Sequence, residues 1–222
     1  MQTFQALKRN IKQANPSFPS LKVSLLGDTA TQLLAVALKG TAVERGYTLD
    51  LYEAEYNQVE RQVMDPTSEL YAHHAQYTLI FQSTHKLLEH FSTANMGTRT
   101  ALAEERIAFL RHACQSIPGK VICFNYPEIE DVVFGSYANQ LEESFTYQVR
   151  KLNYDLMRLA QELPNLYICD IAALQNKFGR DWLFDASVYV STEMVLSIDA
   201  LPYVASRAMD VICAIEGQFK KC

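Results

Sequence analysis

The sequence predicts one three-layer α/β/α domain with about five parallel strands. Five short apolar runs, each four to six residues long, alternate with segments whose apolar residues recur at helical spacing. Glycine or proline stands at several boundaries between these segments, as expected where helices stop and turns begin. Strands separated by helices pair in parallel through right-handed crossovers, so the pattern favours an open, doubly wound sheet.

The predicted strands are residues 22–26, 47–52, 77–81, 121–124 and 166–170. Helices are predicted at 31–45, 98–116, 140–163, 171–178 and 198–215, and residues 181–191 are predicted to be mostly loop. Residues 1–20 contain Pro16 and Pro19 and are predicted to form a short helix and a loop. The α/β domain itself is predicted to occupy residues 21–217.

Bulk composition excludes several classes of partner. The 222 residues carry a net charge of −5 with scattered basic residues, so no nucleic-acid-binding surface is indicated. No apolar run reaches the roughly 18 residues of a membrane span, and the first residues lack the apolar core of a signal peptide. The five cysteines form no Cys-x-x-Cys pair, which favours buried, reduced thiols in a cytoplasmic protein: Cys114, Cys123, Cys169, Cys213 and Cys222.

Polar side chains follow every predicted strand. Ligands of a doubly wound sheet bind beyond the carboxyl ends of its strands, so these residues form the predicted binding rim. In chain order they are Asp28, Thr29, Glu53, Glu55, Ser83, Thr84, His85, Asn125, Tyr126 and Asp170, joined by Asp185, Tyr189 and Ser191 from the segment before the last helix.

Thr29 has two interpretations. A hydroxyl at the start of a helix can attack a carbonyl when a base removes its proton, and free backbone N–H groups there can stabilise the oxyanion. Alternatively, Asp28 or Thr29 simply caps the helix. Asn125 is likewise either an oxyanion donor or an ordinary turn residue before Tyr126 and a proline.

His85 is the candidate base, because it follows the third strand at the correct edge of the sheet. The adjacent pair His73 and His74 precedes that strand and lies at the wrong edge. No Gly-x-Gly-x-x-Gly or P-loop is present, and no histidine and carboxylate spacing suggests a metal site. No cofactor is therefore expected in this domain.

Three features together resemble the SGNH (GDSL) hydrolases. They are the turn Gly27-Asp28-Thr29, Asn125 after the fourth strand, and Leu152-Asn153 in the helix before the strand that ends in Asp170. The resemblance implies a flavodoxin-like sheet and a catalytic set of Thr29, Asn125 and Asp185. Two triad positions depart from the family's pattern. Thr29 stands where the family has serine, and the last block reads Asp185-Ala-Ser-Val188 where the family has Asp-x-x-His. A working Ser-His-Asp mechanism is therefore doubtful.

A second resemblance covers nearly the whole chain. Several segments resemble FkbH-like proteins of the HAD superfamily, subfamily IIIC: 27–34, 64–71, 182–185 and 196–197. The most specific of them is the tail Glu216-Gly-Gln-Phe-Lys-Lys-Cys222. In that family such a tail leads into a HAD domain, so residues 218–222 would begin a link to it. The resemblance implies acyl (glyceryl-type) loading onto an acyl carrier protein, with Mg²⁺ in the HAD domain.

Three hypotheses follow. The first is a degenerate SGNH-like domain that binds or docks an acyl carrier protein, its prosthetic arm or the HAD domain. The second is an active esterase or acyltransferase, with Thr29 as nucleophile, Asn125 as oxyanion donor and His85 as base. The third is a structural spacer that orients the HAD domain and binds no ligand of its own.

Overall fold

The computed structural model describes residues 2–130 and 132–218 and contains a five-stranded parallel sheet. Its strands are β1 (Ser20–Gly27), β2 (Thr48–Glu53), β3 (Tyr77–Phe81), β4 (Lys120–Phe124) and β5 (Leu166–Cys169). The predicted parallel α/β architecture is confirmed, and the predicted strands agree with the observed ones to within two residues at each end.

The strand order is β2-β1-β3-β4-β5. The chain moves outward from β1 to β2 and then crosses back to β3 on the other side of β1. The direction of winding therefore reverses between β1 and β3, where Gly27 pairs with Phe81. This switch point is where an open parallel sheet forms a crevice for ligands.

Helices cover both faces of the sheet. In chain order they are α1 (Phe4–Ile11), α2 (Gln32–Glu44), α3 (Val59–Met64), α4 (Glu69–Ala72), α5 (Thr84–Thr93), α6 (Met96–Arg99), α7 (Leu102–Ser116), α8 (Phe145–Glu162), α9 (Ala172–Phe178), α10 (Arg180–Leu183), α11 (Ala186–Thr192) and α12 (Leu201–Ile215), with a 3₁₀ helix at Gly135–Gln140.

Two hydrophobic layers separate these helices from the sheet. On one face, Val23 and Leu25 of β1 pack with α1, α2 and α12. On the other face, Leu26 of β1 packs with α3, α4, α7 and α8. Successive strand residues point to opposite faces, so the continuously buried stretch 23–27 of β1 contributes to both layers at once.

Several segments differ from prediction: α3, α4 and the 3₁₀ helix were not predicted as elements, and two further differences lie near the candidate site. Residues 84–93 form the helix α5, which was not predicted as an element, and the segment 181–191 is mostly helical (α10 and α11) where a loop was expected. Both α5 and α11 begin at a side-chain cap: the hydroxyl of Ser83 accepts from the backbone N–H of Lys86, and Asp185 accepts from the N–H groups of Ser187 and Val188. Such caps allow short helices to form without a strong apolar period.

Three predicted helices begin later than expected. The helix predicted from residue 98 begins at Leu102, and the helix predicted from residue 140 begins at Phe145. In the second case Ser144 caps the helix by accepting from the N–H of Tyr147. The last helix begins at Leu201, with Pro202 in its first turn, where a missing N–H costs nothing.

Other features of the described chain bear on the predictions. Cys114, Cys123, Cys169 and Cys213 are buried free thiols, whereas Cys222 lies outside the described residues. The predicted link at the tail falls largely outside as well, since residues 219–222 are not described. In the part of the chain that the structure describes, no helix combines the length and apolarity needed to cross a bilayer.

The N-terminal helix depends on one close backbone approach. Leu7 of α1 is buried against α2, where Gly40 faces it. A Cβ atom added at Gly40 would lie 2.4 Å from the carbonyl oxygen of Leu7. Only glycine therefore permits the observed distance between the two helix backbones.

We predict that Gly40→Ala lowers the free energy of unfolding by about 1–3 kcal/mol, because α1 must move away from α2. Urea unfolding followed by circular dichroism would measure the change. Gly97→Ala is the matched control: a Cβ there meets nothing within 4 Å, and its effect should stay within about 0.5 kcal/mol. Equal unfolding midpoints for Gly40→Ala and the wild type would contradict this account of the helix pair.

Candidate functional site

Asp28 joins the ends of the two strands at the switch point. Both of its carboxylate oxygens accept from the backbone N–H of Ser83, each at 2.9 Å. Its own N–H donates to the carbonyl of Phe81 at 3.2 Å. Burial raises the pKa of Asp28 from 3.8 to about 7, although the Ser83 N–H and the charges of Arg106 and Lys86 oppose the shift.

Thr29 is fully buried directly after Asp28. Its hydroxyl has no hydrogen-bond partner, so no base contacts the proposed nucleophile. Neither Asp28 nor Thr29 caps α2, whose N-cap residue is Thr31. The Thr31 hydroxyl instead donates to Glu53 at 2.6 Å. The helix-capping interpretation of the turn is therefore wrong.

His85 is packed among aromatic rings. Its imidazole stacks on Phe184 with ring centroids 3.9 Å apart, and Tyr189 lies 5.5 Å away. Burial and, to a smaller degree, the charge of Arg180 lower the pKa of His85 from 6.5 to about 4. Its Nδ1 atom is buried without a hydrogen-bond partner. The cavity beside it measures about 30 Å³, which is room for little more than a water molecule.

The side-chain amide of Asn125 is used within the fold. Its Nδ2 donates to Asp170 at 2.7 Å, and its Oδ1 accepts from the backbone N–H groups of Ile171 and Ala172 at 2.8 and 3.0 Å. These bonds close the turn between β5 and α9. Asn125 is thereby aimed along the sheet edge toward β5.

Asp185 and its neighbours belong to α11. The carboxylate of Asp185 accepts from the Ser187 hydroxyl at 2.7 Å and from two backbone N–H groups, and these bonds lower its pKa. Val188 and Tyr189 occupy the first turns of this helix. The exposed Ser191 hydroxyl donates back to the helix carbonyls of Ser187 and Val188.

Of the remaining predicted rim residues, Ser83, Thr84 and Tyr126 are buried, whereas Glu53 is half-buried and Glu55 and Asp170 are exposed. Tyr126 is buried, and its hydroxyl donates to Gln82 at 3.3 Å. Ser83 caps α5, and the buried Thr84 hydroxyl has no hydrogen-bond partner. The structure thus joins Asp28 to Ser83 and His85 to Tyr189. It gives Thr29, Asn125 and Asp185 no hydrogen bond to one another or to His85.

A cleft opens on the other side of Asp28, at the switch point. It has a volume of about 170 Å³, and its walls come from four segments of the chain. The sequence did not single out the residues that line it with Asp28, among them Asn57, Glu60, Lys86, His90 and Arg106. The one available signal was the spacing of Lys86 and His90, four residues apart on one face of a capped helix.

The described side chains offer no metal site. Within residues 2–130 and 132–218, no group of three or more histidine, cysteine, aspartate or glutamate side chains is placed to hold an ion. The Mg²⁺ implied by the resemblance to FkbH-like proteins is expected in the HAD domain, and that expectation stays a prediction.

A family model and a solved structure both match this chain. The family model described as FkbH, N-terminal domain, matches residues 22–213. Among solved structures, the N-terminal part of the protein BF1531 from Bacteroides fragilis, described as containing a phosphatase domain complexed with Mg, is 55% identical with a TM-score of 0.98. That match covers 100% of this chain but 59% of the other. Among curated proteins, none matches this chain significantly.

More distant structures share the fold alone. An acetyl xylan esterase, AlAXEase, has a TM-score of 0.51 at 14% identity and covers 86% of this chain and 100% of its own. The lipase Lip_vut3 from a goat rumen metagenome has a TM-score of 0.53 at 11% identity, covering 86% and 96%. The architecture is thus that of α/β, SGNH-like hydrolases, and with 192 consecutive residues matched to one family model, the chain belongs to the FkbH N-terminal domain family.

Proposed function

We propose that this domain is a degenerate SGNH-like module that binds an acyl carrier protein and assists acyl loading by a HAD-type domain of the same protein. The observation that carries the proposal is the closed hydrolase position. The hydroxyl of Thr29 is fully buried and contacts no base, so the group that would attack an ester has neither access nor activation.

Three further features support the loss of hydrolysis. Val188 stands where the resemblance expects the histidine of the last block. The alternative base His85 is stacked on Phe184, and its depressed pKa makes it a weak proton acceptor at neutral pH. The side-chain amide of Asn125 donates to Asp170, and its oxygen accepts from the backbone N–H of Ile171, so the amide is not free to stabilise an oxyanion.

Exposed apolar side chains support docking at the carboxyl edge. Val132 and Phe134 follow β4, with 83% and 39% of their surfaces exposed, and Val190 on α11 is 86% exposed. Exposed apolar residues that follow one another along a segment, as at 132–134, are typical of a contact surface for another protein. An acyl carrier protein with its prosthetic arm is the partner we assign to this surface.

The parent protein is proposed to be a cytoplasmic enzyme of HAD subfamily IIIC. Support comes from the Bacteroides fragilis protein, which is described as containing a phosphatase domain complexed with Mg. This chain spans 59% of the solved chain of that protein. The side chain of Gln218, the last described residue, donates to the carbonyl of Arg45 at the amino edge of the sheet. Gln218 therefore lies at the edge of the sheet opposite the segment after β4 that carries Val132.

We predict saturable binding of acyl carrier protein, measured by calorimetry with the apo, holo and acylated forms. Val132→Asp and Val190→Asp should each weaken it by about tenfold, roughly 1.4 kcal/mol, because each places a charge in the contact. Met157→Asp is the control, since Met157 is also exposed (53%) but lies on α8, toward the amino edge. Flat titrations with all three forms would contradict the docking role.

We also predict no hydrolysis of p-nitrophenyl acetate or butyrate above the buffer rate, for the wild type and for Thr29→Ala. Release of p-nitrophenol, followed by absorbance, gives the rate. Turnover that is lost in Thr29→Ala would contradict the proposal and favour the esterase or acyltransferase alternative. Absence of turnover together with flat carrier titrations would instead favour a structural spacer.

A further inference from the structure

The cleft at the switch point is separate from the closed hydrolase position. It lies beside Asp28 after β1 and Gln82 after β3, and its outer walls come from the segment after β2, from α5 and from α7. Asn57 in this wall holds a positive φ of 61° and donates its N–H to the carbonyl of Gly27. Backbone strain of this kind is frequent at ligand sites.

Arg106 supplies an unsatisfied donor in the wall of the cleft. Its Nη1 donates to Glu60 at 3.3 Å, and its guanidinium lies 5.4 Å from the ring centroid of Phe109. Its Nε–H is buried and has no acceptor. The guanidinium carries five N–H donors in all, and because Arg106 lines the cleft, its Nη–H groups are the donors that a ligand oxygen there would meet.

The other charged groups of the cleft favour an anion over a cation. Lys86 and His90 line the cleft together with Arg106. Both carboxylates already accept N–H groups: Asp28 accepts from Ser83, and Glu60 accepts from Arg106. Lys86 lies 3.3 Å from Glu89 and 3.8 Å from Glu193, so its charge is shared with two carboxylates and Arg106, which pairs with Glu60, is the principal cation of the cleft.

Asp28 can adapt to an anion because it takes up a proton near neutral pH. Burial raises its pKa to about 7. Once protonated, its carboxyl group no longer repels an oxyanion and can donate an O–H to it. The charged and titratable groups that line the cleft with it are Lys86 and His90 on α5, Arg106 on α7 and Glu60 on α3.

We propose that this cleft binds the oxyanion group, carboxylate or phosphate, of a small molecule, with Arg106 as its principal donor and with Asp28 beside it in the wall of the cleft. The volume of about 170 Å³ suits a small metabolite and is below the usual range for larger ligands such as nucleotides. This site is independent of the proposed carrier-protein surface, which is formed by other residues.

The experiment titrates the whole chain with sodium acetate and with inorganic phosphate at constant ionic strength, maintained with chloride, and follows amide chemical shifts by NMR. We expect saturable shifts that include the backbone amides of Asp28, Ser83 and Arg106. Tighter acetate binding identifies a carboxylate ligand, and tighter phosphate binding identifies a phosphoryl ligand. Absence of saturable shifts with both anions overturns the proposal.

Variants locate the site. Arg106→Gln should weaken binding by at least about tenfold, whereas Arg111→Gln should leave it unchanged. Arg111 is the matched control because it lies on the same helix and pairs with Glu162 at 2.6 Å, outside the cleft. If Arg106→Gln fails to fold by circular dichroism, Lys86→Gln serves instead and should weaken binding about threefold. Wild-type affinity in the folded variant overturns the proposal.

Acetate keeps a single charge between about pH 6 and pH 8, so it isolates the role of Asp28. Wild-type affinity for acetate should fall at least threefold from pH 6 to pH 8 as Asp28 loses its proton. Asp28→Asn keeps an acceptor for Ser83 and should flatten this dependence. If the acetate affinity of Asp28→Asn still depends on pH while that of His90→Gln does not, the role of Asp28 is overturned.

Discussion

The carboxylate of Asp28 holds the carboxyl ends of β1 and β3 together, and the architecture of the whole edge depends on this contact. Both oxygens accept the N–H of Ser83 at 2.9 Å, so the residue that starts α5 is fixed relative to β1. Ser83 in turn caps α5, which carries Lys86 and His90 to the cleft and His85 to the aromatic cluster. The cost of this arrangement is a buried acid whose pKa is raised to about 7.

The same contact separates two regions of the edge that a hydrolase would use as one. On the side of β4 and β5, the rings of His85, Phe184 and Tyr189 and the Asn125–Asp170 bond fill the space above the sheet. On the side of β2, the cleft stays open and is lined by charged groups. The fold therefore leaves a cleft open at the switch point, while the hydroxyl of Thr29 is buried.

Much of the fold could be predicted because its signals are local. Alternating apolar runs and helical periods locate all five strands, and the turn after β1 marks the edge of the sheet that carries the site. The short helix α11 was not predicted, since its Val and Ser residues have low helix propensity and its cap depends on Asp185.

The site was harder to predict because its partners come from distant parts of the chain. Asp170 accepts from Asn125, which lies 45 residues earlier, so the sequence alone could not show that the amide is occupied. Arg106 lies within α7, away from any strand end, and reaches the cleft only through the packing of that helix. Residue type predicted which groups follow the strands, whereas tertiary packing decided which of them stay accessible.

The most direct test of the closed hydrolase position is an NMR titration of His85 in the folded chain, with the assignment verified in His85→Gln. Burial against Phe184 and Tyr189 predicts that the imidazole remains neutral down to about pH 4. Titration of His85 near its ordinary value of 6.5 would mean that the ring is solvated, and would contradict the closed position on which the binding function rests.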